Sequence, residues 1–384
     1  MPLYIGLMSG TSLDGIDAAL VEIDDRPAGD HPRLLASHAE PMPAPLRERL
    51  WALCHADAAR FADLAAAEEA FCGLQAAAVA ALLAGSHTPR EAVAAIGSHG
   101  QTIEHAPYGH ATGGHAGGPA YTLQLDNPSR LAELTGIAVV ADFRRRDLAA
   151  GGQAAPLAPA FHQALFRAPG QWRLVLNLGG FANLTLLPPL EDPRAPLGFD
   201  SGPANALLDA WHARHRGGAF DTDGAWAASG RVDEALLARL LEEPFFHRPP
   251  PRSTGRELFH LGWLANRLRG DERPEDVQAT LAELTATSVA LAVEMARERL
   301  EAPSPERLLP CGGGAHNRDL LARLARHLPE ALLADAAEWG WPADWLEAGA
   351  FAWLAQRRLA GLPGNLESVT GAAGPRVLGG VYAP

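Results

Sequence analysis

The sequence predicts an α/β protein of two domains, and three stretches of its 384 residues carry the prediction. The chain opens with an apolar strand, a glycine-containing turn and a second apolar strand, IGLMSGTSLDGID at residues 5–17. The same design returns in the second half as LVLNLGGFANLTLL at residues 174–187. A third glycine turn follows an apolar strand in ERLLPCGGGAHN, residues 306–317, where a helical pattern comes next. With 47% hydrophobic residues there is material for two cores, in keeping with the length.

Taken in order, residues 3–8 and 16–23 read as two short buried strands around a Gly-Thr-Ser turn. That is a hairpin, whereas a dinucleotide-binding βαβ unit needs a helix after the first turn. Residues 45–54 and 60–85 are rich in alanine and leucine, and the second run ends at Gly85 with Pro89 just beyond, so both are expected helices. AAIGSHGQTI, 94–103, reads as a strand running into a polar loop, and NPSRLAELTG, 127–136, as a short helix ending on glycine. IAVVADF, 137–143, is a buried strand and the expected crossing point, which gives a first domain over 1–141 and a second over 142–384. The tail from about residue 365 is a candidate for packing back on the first domain.

Composition removes whole classes of chemistry. A formal net charge of −13 argues against a nucleic-acid partner. The chain contains no lysine, so all 32 basic side chains are arginine. A P-loop, a pyridoxal enzyme and a protein kinase each need a lysine, so any phosphate here must be met by backbone amides, a metal ion and arginine. The 3 cysteines, Cys54, Cys72 and Cys311, are scattered and suggest neither a disulfide framework nor a thiolate metal site. No charged leader precedes an apolar run and no stretch of about 18 uninterrupted apolar residues occurs, so a cytoplasmic protein is expected.

Several polar residues stand out. Glycine and hydroxyl groups on a turn after a buried strand let backbone approach phosphate, which marks Gly10, Thr11, Ser12 and Gly15, with Asp14 as the carboxylate of that turn. Asp200, in GFDSGPANALLDAW, stands before a helix carrying Leu207, Leu208 and Trp211 on one face. A helix N-terminus would keep it ionised and fit to act as a general base, and the competing reading is a plain helix cap. Asp221 and Asp223 in FDTDGAW resemble either a magnesium motif or a turn. Gln101 and Thr102 follow one strand and Arg144, Arg145 and Arg146 another, while Glu347 sits among apolar helical residues. The segment 105–119 holds His105, His110 and His115 among glycines, read as a flexible surface loop or as a metal site whose ligand geometry glycine cannot fix.

Together the three glycine turns, at 9–15, 179–180 and 312–314, match the phosphate, phosphate and adenosine turns of the superfamily of actin, heat-shock 70 ATPases and hexokinases. That resemblance implies a two-domain actin-like, ribonuclease H-like fold with the nucleotide between the domains. More specifically, MSGTSLDGID, GSHGQTI, LAELTGIAVVADFRRRDLAAGGQAAPL, LNLGGFANLT, GFDSGP, DGAWAASG, STGRELF, CGGGAHN and LPGNLESVTGA resemble the anhydro-N-acetylmuramic acid kinases over nearly the whole chain. The resemblance implies an enzyme of peptidoglycan recycling that opens the 1,6-anhydro ring with water and phosphorylates O6 from ATP, with Mg2+, as a cytoplasmic homodimer. It implies that Gly10, Thr11, Ser12, Leu13, Asp14, Gly15, Ile16 and Asp17 hold ATP phosphates, and that Gly179, Gly180, Gly312, Gly313 and Gly314 complete the nucleotide site. Asp200 would then be the base, with Gln101, Thr102, Arg146 and Glu347 placing the sugar. Two positions depart from the family pattern, Ala154 in GGQAAPL and Ala204 in GPAN, where glycine is usual, and an extra methyl at either could tighten the sugar pocket.

Two other readings stay open on the residues alone. An actin-like nucleotide switch would not need GSHGQTI, DFRRRD or GGQAAPL, and its ATP turnover would ignore added sugar. A kinase for levoglucosan or another anhydro sugar would be separated by turnover without the lactyl and N-acetyl groups.

Overall fold

The computed structural model describes residues 1–24, 31–56, 58–109, 118–256 and 258–384. Contacts divide the chain into two units, Met1–Leu165 with Trp345–Pro384, and Phe166–Asp344.

In the first unit β1 (Leu3–Ser9), β2 (Gly15–Glu22) and β3 (Arg33–Pro41) form an antiparallel meander. β4 (Val93–Ala106) lies parallel to β1 on its other side, β5 (Tyr121–Leu125) folds back on the far half of β4, and β6 (Val139–Ala141) runs parallel to its near half. The second unit repeats the plan with β7 (Arg173–Leu178), β8 (Phe181–Leu187), β9 (Leu197–Pro203), β10 (Arg307–Cys311) and β11 (Leu332–Leu333). β12 (Gly380–Tyr382) closes the first sheet, antiparallel to β6. Apart from β5 and β12, the first sheet runs β3-β2-β1-β4-β6 and the second β9-β8-β7-β10-β11. Each is the order 3-2-1-4-5 with only its second strand antiparallel, which is the ribonuclease H-like arrangement, present once in each unit.

The predicted helices at 45–54 and 60–85 are found as Ala44–Cys54 and Phe61–Gly85. The short helix Pro128–Thr135 starts on an Asn127 side chain that accepts from Arg130 N and ends at left-handed Gly136, where φ is 66°. Phe61–Gly85 and Pro274–Leu300 are long and apolar enough to cross a bilayer. Each buries one face in its own unit, Phe71, Cys72, Val79 and Leu82 in the first and Val277, Leu281, Leu284 and Val289 in the second.

Three expectations are corrected. The run at 94–103 does not pass into a polar loop but continues as strand to Ala106, because β5 pairs with it from Gln101 to Ala106. The strand expected at 137–143 is confined to Val139–Ala141. The chain divides at Leu165/Phe166 rather than 141/142, and it returns to the first unit at Trp345. The reason lies in Asp147, fully buried after the expected boundary. Its carboxylate accepts from Ala154 N (2.8 Å), Asn365 Nδ2 (2.7 Å) and Thr370 Oγ1 (2.8 Å), tying the segment beyond β6 and the tail into one body.

The tail helix Leu346–Leu359 packs on bare backbone. A Cβ at Gly6 of β1 would lie 1.8 Å from Ala348 O, and one at Gly97 of β4 would lie 2.0 Å from Phe351 O. Only glycine permits that approach, which fixes the height of the helix carrying Glu347 over the two central strands.

Candidate active site

The turn between β1 and β2 is braced from beneath. Leu13, at φ 59°, and Ile16 are buried in the core, so their side chains anchor the turn and leave only backbone for a ligand. Thr11, Ser12 and Asp14 are exposed above them. Ser9 Oγ donates to Gln101 Oε1 at 2.7 Å, and Gln101 Nε2 donates to Gly10 O at 3.3 Å. Gln101 is fully buried with both ends of its amide engaged, so it sets the shape of the turn. Arg47 steadies the same loop through Leu13 O at 2.9 Å and lies 3.7 Å from Asp14. Gly15 has a packing reason of its own, since a Cβ there would meet Glu40 O at 2.4 Å. Asp17, in β2, pairs with Met8 and Ala39 through the backbone.

Thr102 is half-buried on β4 and accepts from Gln124 Nε2 at 3.2 Å. Helix Phe143–Ala149 divides the arginine triplet by its 3.6-residue period. Arg144 turns inward with Asp147, three residues on, whereas Arg145 and Arg146 stand exposed. Arg144 Nε and Nη2 reach His99 Nε2 at 3.1 and 2.9 Å, and Nη1 donates to Ala154 O at 2.7 Å. Because two guanidinium donors converge on Nε2, that nitrogen carries the lone pair and the His99 proton sits on Nδ1. Burial, and then Arg144, hold the His99 pKa well below the ordinary value. Burial also pushes Arg144 down to about 10, opposed by Glu347 and Asp147. Glu347 lies half-buried in the first turn of its helix, and Phe351, one turn on, has its ring 4.7 Å from that of His99. The neutral His99 thus joins Arg144 and Glu347 in one polar cluster, and of the three only His99 was not singled out by the sequence.

In the second unit the two remaining glycine turns meet. A Cβ at Gly312, where φ is +72°, would lie 2.4 Å from Asn177 Oδ1, and one at Gly314 would lie 2.6 Å from Leu178 Cβ, so the 312–314 turn sits directly on the end of β7. Leu178 precedes the Gly179–Gly180 turn. Asn205 holds that end of the strand, with Nδ2 donating to Leu178 O at 2.9 Å and its backbone N–H to Gly179 O at 3.1 Å. Gly313 and Gly179 have room for a ligand, their nearest neighbours being 3.8 and 3.6 Å from a built Cβ.

Asp200 is not at a helix N-terminus. It lies inside β9, opposite Asn183 of β8, and helix Asn205–Arg216 starts five residues later from Ala204 without a side-chain cap. The first N–H groups of that helix are met by carbonyls of the glycine turn, Ala204 N and Ala206 N to Gly180 O and Asn205 N to Gly179 O. The cap reading and the helix-dipole argument for Asp200 both fall. What holds Asp200 is Thr254 N, donating to Oδ2 at 2.9 Å, and Arg252, which is 4% exposed. The opposite outcome holds at FDTDGAW. Asp221 accepts Trp226 N and Ala227 N, one on each oxygen at 2.9 Å, which is a helix start rather than a cation site.

His105 belongs to β4 rather than to a loop. It is half-buried with Nδ1 3.0 Å from Thr122 Oγ1, and burial lowers its pKa to about 4. His110 and His115 lie outside the described residues. Among the described residues no group of three or more His, Cys, Asp and Glu side chains could hold a metal ion.

The sequence model of the anhydro-N-acetylmuramic acid kinase family matches residues 2–384. This chain belongs to that family. An anhydro-N-acetylmuramic acid kinase of Chromohalobacter salexigens is 63% identical over 383 residues, covering 100% of both chains. Its namesake in Pseudomonas paraeruginosa is 53% identical over 384 residues, covering 100% of this chain and 99% of its own, and that of Cupriavidus metallidurans is 49% identical, covering 99% and 97%. The family match spans both units, so the glycine turns, Asp200 and the Arg144–Glu347 cluster all fall inside it.

Proposed function

We propose that this protein is an ATP-dependent kinase that opens the 1,6-anhydro ring of anhydro-N-acetylmuramic acid with water and phosphorylates O6, giving N-acetylmuramic acid 6-phosphate. The observation that carries the reading is family membership over residues 2–384. The geometry supports it, because a strand-borne carboxylate held by a backbone N–H is a rigid general base. Asp200 accepts the proton of a water that attacks the anomeric carbon. The ring C–O6 bond breaks, and O6 receives the γ-phosphoryl group of ATP as ADP leaves.

Gly10 to Asp17 offer backbone and the exposed Thr11 and Ser12 hydroxyls to the phosphates of ATP, and the Gly179–Gly180 and Gly312–Gly314 turns serve the rest of the nucleotide. On the sugar side we assign Thr102, Glu347 and His99, with Arg144 in the place expected of Arg146. The donor set fits a hard cation that keeps its waters. There is no all-protein cage among the described residues, but the carboxylate of Asp14 is exposed on the turn at 78%. Mg2+ bound with ATP would offset phosphate charge, with Asp14 or Asp17 its protein partner. A cytoplasmic homodimer is the assembly we propose.

The test is ATP turnover with anhydro-N-acetylmuramic acid in 18O-water. The label is expected on C1 of the sugar phosphate and absent from ADP and phosphate. Label in free phosphate, or ADP formation indifferent to sugar, marks an ATPase and overturns the reading. Equal turnover of an anhydro sugar lacking the lactyl and N-acetyl groups would move the substrate assignment to simpler anhydro sugars.

A further inference from the structure

While Arg144 turns inward, the other face of its helix looks onto an open groove of about 910 Å3. Asp142, Arg145, Arg146, Arg358, Arg376 and Gly379 are among the residues that line it. Four guanidiniums therefore share one concavity on a chain of formal net charge −13. Among the described residues a single carboxylate lines it, that of Asp142, 3.5 Å from Arg145. Among the described residues Arg146 and Arg358 enter no ion pair, and the side chain of Arg376 engages only the carbonyl of neighbouring Pro375, at 2.9 Å. Arg358 Nε is buried with no hydrogen-bond partner among the described residues.

That is an unusual way to leave arginine. Like charges gathered in one groove repel, and a buried N–H donor without an acceptor loses its hydration for nothing in return. An anion removes both penalties at once. Guanidinium forks suit an oxyanion that offers several oxygens, because each fork makes paired, charge-assisted hydrogen bonds. Gly379, at φ +83°, leaves that part of the wall without a side chain. The volume falls within the range of about 300–1,000 Å3 common to small-molecule sites.

We propose that this groove is a second binding site, for a small ligand that presents a terminal phosphate group. It shares no residue with the set assigned above to the reaction, so it does not depend on that assignment. Three sources present this chemistry, a sugar phosphate, a nucleoside monophosphate and free phosphate.

The test is calorimetric titration of the full-length protein, saturated with a non-hydrolysable ATP analogue, using glucose 6-phosphate, AMP and inorganic phosphate as probes. Saturable binding of at least one probe is expected, weakened about tenfold or more in Arg145→Ser/Arg376→Ser and by added salt, since charge-assisted forks carry it. Asp142→Asn, which removes the single carboxylate, should tighten the same binding and guards against a variant that merely unfolds. Preference for glucose 6-phosphate or AMP names the source, and equal affinity for all three names the bare phosphate group. No saturable binding in the presence of the analogue, or binding unchanged in the double variant, overturns the proposal. So does a change of sedimentation coefficient in the double variant without loss of probe binding, which would make the groove a contact for a second copy of the chain.

Discussion

Arg252 clasps the main chain of Asp200 from both sides, its carbonyl accepting Asp200 N–H at 3.2 Å and its Nε donating to Asp200 O at 2.9 Å. The guanidinium lies over the rings of Phe199 and Phe245, 5.1 and 4.9 Å from their centroids, and Nη1 donates to the carbonyls of Phe245, Phe246 and Arg248. A carboxylate-bearing strand residue is thereby locked to the loop that also supplies Thr254 N.

Asp200→Asn keeps the shape of the side chain but cannot take a proton from water. Turnover is expected to fall by about 10²- to 10⁴-fold while the melting temperature and ATP binding stay near those of the parent. Steady-state kinetics with calorimetric ATP titration check this, and activity within about threefold of the parent removes Asp200 from the role.

Replacing Arg252 by lysine preserves the charge but loses the planar fork that satisfies several carbonyls at once. With buried acceptors left unmet, a loss of about 2–4 kcal/mol in denaturant unfolding is expected, together with lower kcat. Parental stability for Arg252→Lys would show that the clasp is dispensable.

Ala154 is fully buried and holds φ at 60°, a region that costs a non-glycine residue about 1 kcal/mol. Ala154→Gly is expected to raise stability by up to about 1 kcal/mol, part of the relief being offset by the greater entropy of the unfolded chain. A drop in melting temperature on that change would show the methyl to be a packing contact instead.

Beneath the first sheet Gln75 Nε2 donates to Ser98 Oγ at 2.8 Å, and Ser98 Oγ donates to Asp126 Oδ2 at 2.7 Å. Burial pushes the Asp126 pKa up from 3.8 to about 6. A raised carboxyl pKa means that the folded state binds this proton more tightly than the unfolded state. The stability it lends is full below pH 3.8 and is lost as pH rises through about 6. Asp126→Asn, permanently neutral, is expected to gain on the order of 2 kcal/mol over the parent at pH 7.5 and little at pH 4. Unfolding curves at the two pH values check this, and an equal effect at both refutes it.

Chelation with EDTA is expected to abolish turnover, and Mg2+ to restore it where Zn2+ does not, since phosphoryl transfer calls for a hard cation with waters of its own. Replacing His105, His110 and His115 together with alanine should leave turnover largely intact. Collapse of activity in that variant, restored by zinc, would make the segment a metal site.

Both glycine-turn hairpins are local, built from alternating apolar runs and turn residues within about 15 positions, so their strands and turns were legible from periodicity and glycine placement. The helix Arg318–His327 and the Asn127 cap belong to the same local grammar. The place of Asp200 did not. A helix five residues on made a cap plausible, and only pairing with Asn183 across the sheet shows a strand. Gln101 carries no mark in the sequence of the two hydrogen bonds it makes to residues 91 and 92 positions away.

The sequence by itself determined the two-unit α/β plan, the three glycine turns, the exclusion of lysine-based phosphate chemistry and, through its motifs, the family. Tertiary structure decided which arginine of the 144–146 triplet is buried, where the chain changes unit, how closely the tail helix approaches Gly6 and Gly97, and what holds Asp200. The physical reason is range. Backbone periodicity and turn chemistry act between neighbours, whereas burial, hydrogen-bond partners and close backbone approach belong to pairs of residues that only the folded chain brings together.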